Sequence, residues 1–403
     1  MIDLETIYQA RERIKGIIVE TPFSFAPRLS EETGYEIYLK KENLQVTGAF
    51  KIRGAYNKIA TLDPQQRAMG VITASAGNHA QGVAMAAKMF RINALIVMPE
   101  STPLTKINGV RYYGAQVILH GSNYDEAYAY ASDYGKEHGM VFVHPFADDA
   151  VIAGQGTIAL EMLESMIDLD AIVIPVGGGG LISGMASAIK QLSPSIEVIG
   201  ISALGAPAMK ESFEAKCAID STTVRTIADG IAVRDTSPLT LTHILETVDS
   251  MVSVDDEEIA NAILFLLERQ KLVVEGAGAV GVAALLHNKL PHLKGKKIGV
   301  VLSGGNMDVT LLSIIIEKGL IKSGRKMKLT VTLIDKPGAL MQLTHMLQEL
   351  NANIVHIEYD RTSTSLAYGD ANVTIHLETK GEEHQQEIRA LLHKHRYLNS
   401  EER

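Results

Sequence analysis

Apolar residues recur along this chain with two periods. Leu4, Ile7, Ile14 and Ile17 fall near one face of a helix over 3–18, and Thr21-Pro22 ends it. From about 70 to 145 short apolar runs alternate with helical stretches. Strands are predicted at 71–73, 94–98, 117–119 and 141–143, with an Ala-rich helix at 80–89. A second series follows: strand 171–176, helix 181–191, strand 198–201, an amphipathic helix 255–270 and strand 298–302. Asp255 and Asp256 put negative charge at the start of that helix, where the backbone dipole favours it. Strand–helix repetition of this kind predicts an α/β fold with parallel sheets covered on both faces.

The character changes at the short basic run Lys322-Ser323-Gly324-Arg325-Lys326, which reads as a linker over 322–327. Beyond it the pattern is strand 328–333, helix 339–350, strand 353–359, strand 371–377 and helix 382–393, closed by a short strand at Tyr397-Leu398. That order predicts a separate small α+β domain over 328–403, after a main domain over 1–321. No array of short repeats and no low-complexity segment interrupts the chain.

Composition narrows the function classes. The 403 residues carry a formal charge of −9, with 5% aromatics and no Trp. An acidic, aromatic-poor chain lacks the basic face and stacking platform of a nucleic-acid binder. A single cysteine, Cys217, rules out an internal disulfide and zinc-finger spacing and suits a reducing compartment. The opening Met1-Ile2-Asp3-Leu4-Glu5 has no apolar signal region, and no stretch of 18 apolar residues occurs. The expectation is a cytoplasmic protein without a membrane partner.

Three glycine-rich elements follow predicted strands or precede helices: Ser75-Ala76-Gly77-Asn78-His79, Gly177-Gly178-Gly179-Gly180-Leu181 and Ser303-Gly304-Gly305-Asn306. In an open α/β sheet such loops gather at the carboxyl ends of strands and converge on one ligand. Four consecutive glycines let backbone N–H groups approach an anion closely, and the helix beginning near Leu181 adds its positive end, so a phosphate is the natural guest. Gly276-Ala277-Gly278-Ala279-Val280-Gly281 matches the letters of a dinucleotide fingerprint. It follows a helix rather than a strand, and no acid closes the next strand, so the match reads as false. Lys51 stands among small and apolar neighbours in Gly48-Ala49-Phe50-Lys51-Ile52-Arg53-Gly54-Ala55. A buried lysine has a lowered pKa and becomes a nucleophile toward aldehydes, although a lysine taken alone is more often a surface residue. The histidines show no H-E-x-x-H spacing, and His79 alone reads as structural rather than as a metal ligand. No metal site is expected from them.

Together the Gly48–Ala55 run, the loop Ser75 to Gly82, the tetraglycine and Ser303-Gly304-Gly305-Asn306 resemble the fold-type II pyridoxal-phosphate enzymes (tryptophan synthase β-like), and within them the threonine dehydratase (threonine ammonia-lyase) family. The resemblance covers about residues 1–320. It implies two parallel-sheet subdomains, the smaller one, about 52–145, inserted in the larger. It also implies a lyase that removes water from L-threonine, giving 2-oxobutanoate and ammonia, and that acts on L-serine too. Lys51 would hold pyridoxal 5'-phosphate as a Schiff base and later act as base at the α-carbon. Phe50 would pack near the ring, Asn78 would bond the ring's 3-oxygen, Gly177, Gly178, Gly179, Gly180 and Leu181 would cradle the phosphate, and Ser303 would face the pyridine nitrogen. A neutral hydroxyl there leaves that nitrogen largely unprotonated, which suits β-elimination better than transamination. Ser75, Ala76, Gly77, Asn78 and His79 would bind the substrate carboxylate through backbone N–H groups.

Serine racemases of this family carry a second serine where this chain has Ala76, so the resemblance favours a one-base eliminase. Their divalent-cation acids correspond to Ser202 and Ala208 here, which leaves only a monovalent ion on backbone oxygens in view. The alternatives are a serine dehydratase or racemase of the same family and a catalytically silent amino-acid sensor. The tail, through Leu333 to Leu340 and Asn351-Ala352-Asn353-Ile354, resembles an ACT-type regulatory domain. That resemblance implies allosteric control by a small effector (an amino acid or a nucleotide) near Asp335, Lys336, Pro337 and Gly338, and a homodimer or homotetramer. Whether the product serves isoleucine biosynthesis or threonine breakdown stays open.

Overall fold

A computed structural model describes residues 1–397, which divide into two units, Met1–Asp308 and Val309 onward. The first unit carries the strands β1 (Phe23–Phe25), β2 (Glu36–Lys40), β3 (Val71–Ala74), β4 (Ala94–Met98), β5 (Gln116–Leu119), β6 (Val141–Phe142), β7 (Ala171–Pro175), β8 (Glu197–Ala203), β9 (Ser250–Val254) and β10 (Lys297–Val301). The larger sheet runs β1-β2-β10-β7-β8-β9, parallel except for β1. The smaller runs β5-β4-β3-β6, parallel throughout. The chain leaves the large sheet after β2, builds the small one, and returns at β7.

Central strands are buried on both faces, so their sequences are continuous apolar runs. Ala171, Ile172, Val173 and Ile174 of β7 are all fully buried, with Val173 opposite Val300 on one side and Ile199 on the other. Helices Asp149–Glu164 and Gly180–Leu192 pack backbone to backbone over this sheet. A Cβ at Gly184 would lie 2.1 Å from the Ile152 carbonyl oxygen, so only glycine permits that approach.

The predicted strands fall where expected within a few residues. The helix expected over 3–18 is shorter, Leu4–Ile14, capped by the Asp3 side chain. The one expected over 255–270 is an α-helix, Asp256–Phe265, with a capping box between Asp255 and Glu258, and it finishes as a π-helical turn at Leu266–Gln270. Helices Lys51–Ala60 and Gly276–Leu286 were not foreseen. The second is buried on every side, so it has no polar face to give a period.

The second unit contains helix Val309–Lys322, β11 (Lys326–Ile334), helix Ala339–Glu349, β12 (Asn353–Asp360), β13 (Asp370–Glu378) and helix Glu382–Lys394. Its antiparallel sheet runs β11-β13-β12. Leu329, Val331, Leu343, Leu347, Val373, Ile375, Ile388 and Leu392 form its core. The expected linker 322–327 is here a helix end, a turn and the start of β11. The Arg325 N–H donates to the Leu320 carbonyl and Thr379 Oγ1 to the Gly324 carbonyl at 2.5 Å. Helix Val309–Lys322 lies against β11, so the units divide before it rather than after it. The expected closing strand is not formed at Tyr397, and Leu398 lies outside the described residues. Among the described residues no helix is long and apolar enough to cross a membrane.

Candidate active site

Lys51 opens the Lys51–Ala60 helix, directly after Phe50. Its Nζ donates to the Pro145 carbonyl oxygen at 2.9 Å and lies 5.2 Å from the centre of the Phe50 ring. Burial pushes its pKa down to about 8, against the opposing pull of the Glu275 charge. Phe50 is held in turn by its N–H, which donates to the Ser303 carbonyl at 3.1 Å, while Ala49 bridges Gly304. Ser303 is buried just beyond β10. The lysine and the third glycine motif, 252 residues apart in sequence, are thus one hydrogen-bonded piece of structure.

Asn78 begins the helix Asn78–Phe90 after β3. Its Nδ2 donates to Glu275 Oε1 at 2.7 Å, and its Oδ1 accepts from Asn306 Nδ2 at 2.8 Å. Asn306 Nδ2 also donates to the Thr47 carbonyl at 2.8 Å, and the Asn306 backbone N–H bonds the Glu275 carboxyl. The ring of bonds is closed. Glu275 is buried, and burial raises its pKa to about 7 despite the donor from Asn78. A Cβ at Gly304 would lie 2.3 Å from Glu275 Oε1, so a larger residue there would displace the carboxyl.

The tetraglycine follows β7, with Gly179 in the left-handed region (φ +87°) capping the helix that starts at Gly180. Among the described residues none accepts a hydrogen bond from the backbone N–H groups of Gly177, Gly178 or Gly179. Phe146 packs over the loop, and a Cβ at Gly178 would lie 2.4 Å from its ring. The stretch 145–146 therefore joins the lysine amine to the tetraglycine. Leu181 is buried behind the loop.

In the Ser75–His79 loop the Gly77 N–H donates to Ser75 Oγ at 3.2 Å, and a Cβ on Gly77 would meet nothing within 4 Å. The loop borders open space at a helix N-terminus, which suits an anion. His79 points inward. Its Nε2 bonds the Val143 carbonyl at 2.9 Å, and burial and then the Lys51 charge lower its pKa to about 3, so the ring is neutral. Only the backbone of His79 faces the loop's business. Ala76 is half-buried and offers a methyl group.

Sequence reasoning missed Glu275, Asn306 as a bonding partner, and the Pro145-Phe146 stretch. Glu275 carried one signal, an acid directly before the Gly276–Gly281 run. Those glycines serve packing: Cβ atoms at Gly276 and Gly278 would meet the Ile227 and Gly304 carbonyl oxygens at 2.6 and 2.7 Å. Phe146 carried no signal. Ser202 Oγ bonds Ser253 Oγ at 2.8 Å, and Ala208 is buried at the start of a helix. In the second unit Asp335 bonds the Tyr359 hydroxyl at 3.0 Å and Arg361 Nε at 2.8 Å. Lys336 and Pro337 are exposed, and Gly338 (φ +88°) caps the next helix.

Residues 14–304 match the family described as pyridoxal-phosphate dependent enzyme. The chain is 51% identical over 392 residues to the L-threonine ammonia-lyase of Thermotoga maritima, covering 97% of each. Among solved structures it resembles the processed form of threonine deaminase isoform 2 from Solanum lycopersicum, at 38% identity and a TM-score of 0.74, covering 78% of this chain and 94% of that one. It also resembles maize serine racemase, at 36% identity and a TM-score of 0.75, covering 80% and 98%.

Proposed function

We propose, from the premise that this chain belongs to the pyridoxal-phosphate-dependent enzyme family, that it is a threonine ammonia-lyase, removing water and then ammonia from L-threonine to leave 2-oxobutanoate. L-serine is a slower substrate. The observation that carries the reading is the Lys51 amine, buried with a pKa near 8 and held at the Pro145 carbonyl beside Phe146, which roofs the tetraglycine. An amine of that kind reacts with an aldehyde, and unclaimed N–H groups on glycines suit a phosphate, so the residues present fit pyridoxal phosphate.

When bound, the cofactor supplies the electron sink that acidifies the substrate α-carbon. The protein's part follows from its own groups. The N–H groups of Gly177 to Gly180 and the helix dipole behind Leu181 would hold the phosphate. Phe50 would pack near the ring, Asn78 would donate an N–H to the ring's 3-oxygen, and the neutral Ser303 hydroxyl would partner the ring nitrogen. Loop residues 75–79 bind the substrate carboxylate by backbone N–H groups. Lys51, partly unprotonated near neutral pH, takes the α-proton. Ala76 has no proton to give on the opposite face, which favours elimination over racemisation. The relatives' names support threonine, though one methyl group in a pocket separates threonine from serine by only about 1–3 kcal/mol.

The second unit is the ACT-type regulatory domain of this reading, its β11-helix-β12-β13-helix order and antiparallel sheet supporting it. It takes a small effector near Asp335 to Gly338, and the chain works as a homodimer or homotetramer in the cytoplasm. The catalytic domain is then the preceding unit, with the small sheet as its inserted subdomain.

The test is 2-oxo acid release from L-threonine, L-serine and D-serine, with the cofactor's visible absorbance followed in parallel. L-threonine turns over fastest. Lys51→Ala loses turnover at least a thousandfold and keeps a native circular dichroism spectrum. Normal 2-oxobutanoate release by that variant overturns the assignment.

A further inference from the structure

The closed ring of bonds among Asn78, Asn306 and Glu275 decides which end of the Asn78 amide faces which neighbour. Thr47 presents a carbonyl to Asn306, so the end of the Asn306 side chain that reaches both Thr47 and Asn78 is its NH2 group. Asn78 therefore offers its oxygen to Asn306 and its own NH2 to Glu275. One of the two Asn78 amide hydrogens is used at Glu275 Oε1, and the other is left for the site. Glu275 sits at the N-terminus of the buried helix Gly276–Leu286, and its N–H donates to the Gly304 carbonyl at 3.0 Å, so its backbone is fixed to the loop carrying Ser303 and Asn306. Gly304 leaves room for its carboxyl, since a Cβ there would lie 2.3 Å from Oε1.

We propose that Glu275 is a positioning residue for the elimination: it locks the Asn78 amide so that the remaining N–H faces the cofactor ring oxygen, and it thereby tunes the electronic state of the bound cofactor. This rests on the reading of Asn78 and Lys51 given above. The charged groups facing Glu275 are Lys51 from the Lys51–Ala60 helix, Asp229 from the 3-10 turn Asp229–Ile231, and Lys106 from helix Leu104–Tyr112, which pairs with Asp229 at 2.9 Å. Asn78 and the Asn306 N–H are its neutral donors. Burial brings its titration to about pH 7, so the charge beside Lys51 changes within the working range.

The experiment uses the full chain loaded with pyridoxal phosphate, with Glu275→Ala and Glu275→Gln beside the parent. Glu275→Ala weakens pyridoxal phosphate binding at least tenfold by fluorescence titration and shifts the visible absorbance maximum. It lowers kcat by ten- to a hundredfold with KM within threefold. Glu275→Gln keeps an acceptor for Asn78, restores cofactor affinity to within threefold of the parent, and loses the pH step near 7 in both kcat and absorbance. A Glu275→Ala protein matching the parent within twofold in affinity, spectrum and kcat overturns the proposal. Should that variant not fold, Glu275→Gln decides alone: a spectrum and kcat profile that keep the parent's step between pH 6 and 8.5 overturn it, and loss of the step supports it. A parent that gives no visible band with pyridoxal phosphate sinks the underlying enzyme reading instead.

Discussion

Two glutamates buried in the same unit have opposite fates. Glu42 is fully buried and burial raises its pKa, yet the charge and hydrogen bonds of Arg53, with Lys40 and Thr21, carry it below the ordinary carboxylate range. Arg53 holds both Glu42 oxygens at 2.8 Å through Nε and Nη2 and reaches Glu161 and Thr157 with Nη1. Lys40 completes the set against Glu161. Glu275 is buried nearly as well but meets neutral amides, and burial wins. Burial alone does not decide the charge of a carboxyl; the formal charge of its partners does. The first arrangement clamps the Lys51–Ala60 helix in one ionic state. The second leaves a proton negotiable beside the lysine.

The contrast can be broken most forcefully at Arg53. Arg53→Met strands Glu42 and Glu161 and is expected to cost about 3–5 kcal/mol of stability by urea unfolding, the range for halving a buried pair. A loss under about 1 kcal/mol would show that the network is not the clamp described. The pH dependence of stability sharpens the same point, with opposite signs. Glu275, raised in the folded chain, contributes stability fully present below its ordinary value and lost as pH rises through about 7. Glu42, lowered, contributes stability present above its ordinary value and lost as pH falls through its folded one. Between pH 4.5 and 8 the parent should therefore lose up to about 3 kcal/mol relative to Glu275→Gln, read as thermal unfolding. The smallest effect is expected at Lys106, a third exposed and paired with Asp229. Lys106→Met should change stability by less than about 1 kcal/mol. It should also move the Glu275 inflection upward, since Lys106 opposes the rise. An inflection that moved down would break the electrostatic account.

Much of the first unit's fold was legible because the central strands of its two sheets are parallel and covered, which writes them as unbroken apolar runs. The glycine motifs stood out in the sequence as candidate anion loops, whereas Lys51, read alone, pointed to the surface and took its role only from the family resemblance; the structure buries it. Glu275 was hidden for a physical reason. Its partner Asn78 is 197 residues away, and no local spacing encodes a contact made by two sheets coming together. The Lys51–Ala60 helix was hidden because Arg53 and Asn57, polar in sequence, are buried on ion pairs and backbone carbonyls. The main domain was expected to run to 321, whereas the units divide before helix Val309–Lys322, whose apolar letters do not say which side of a boundary they pack on.

The bonds from Phe50 to Ser303 and from Asn78 to Glu275 and Asn306 have a consequence during synthesis. A ribosome adding about 5–20 residues per second needs roughly 15–50 s after making Phe50 to reach Asn306. Throughout that interval the lysine lacks the wall that Ser303 to Asn306 supply. Capture of pyridoxal phosphate against both walls therefore waits until residues 303–306 have been made.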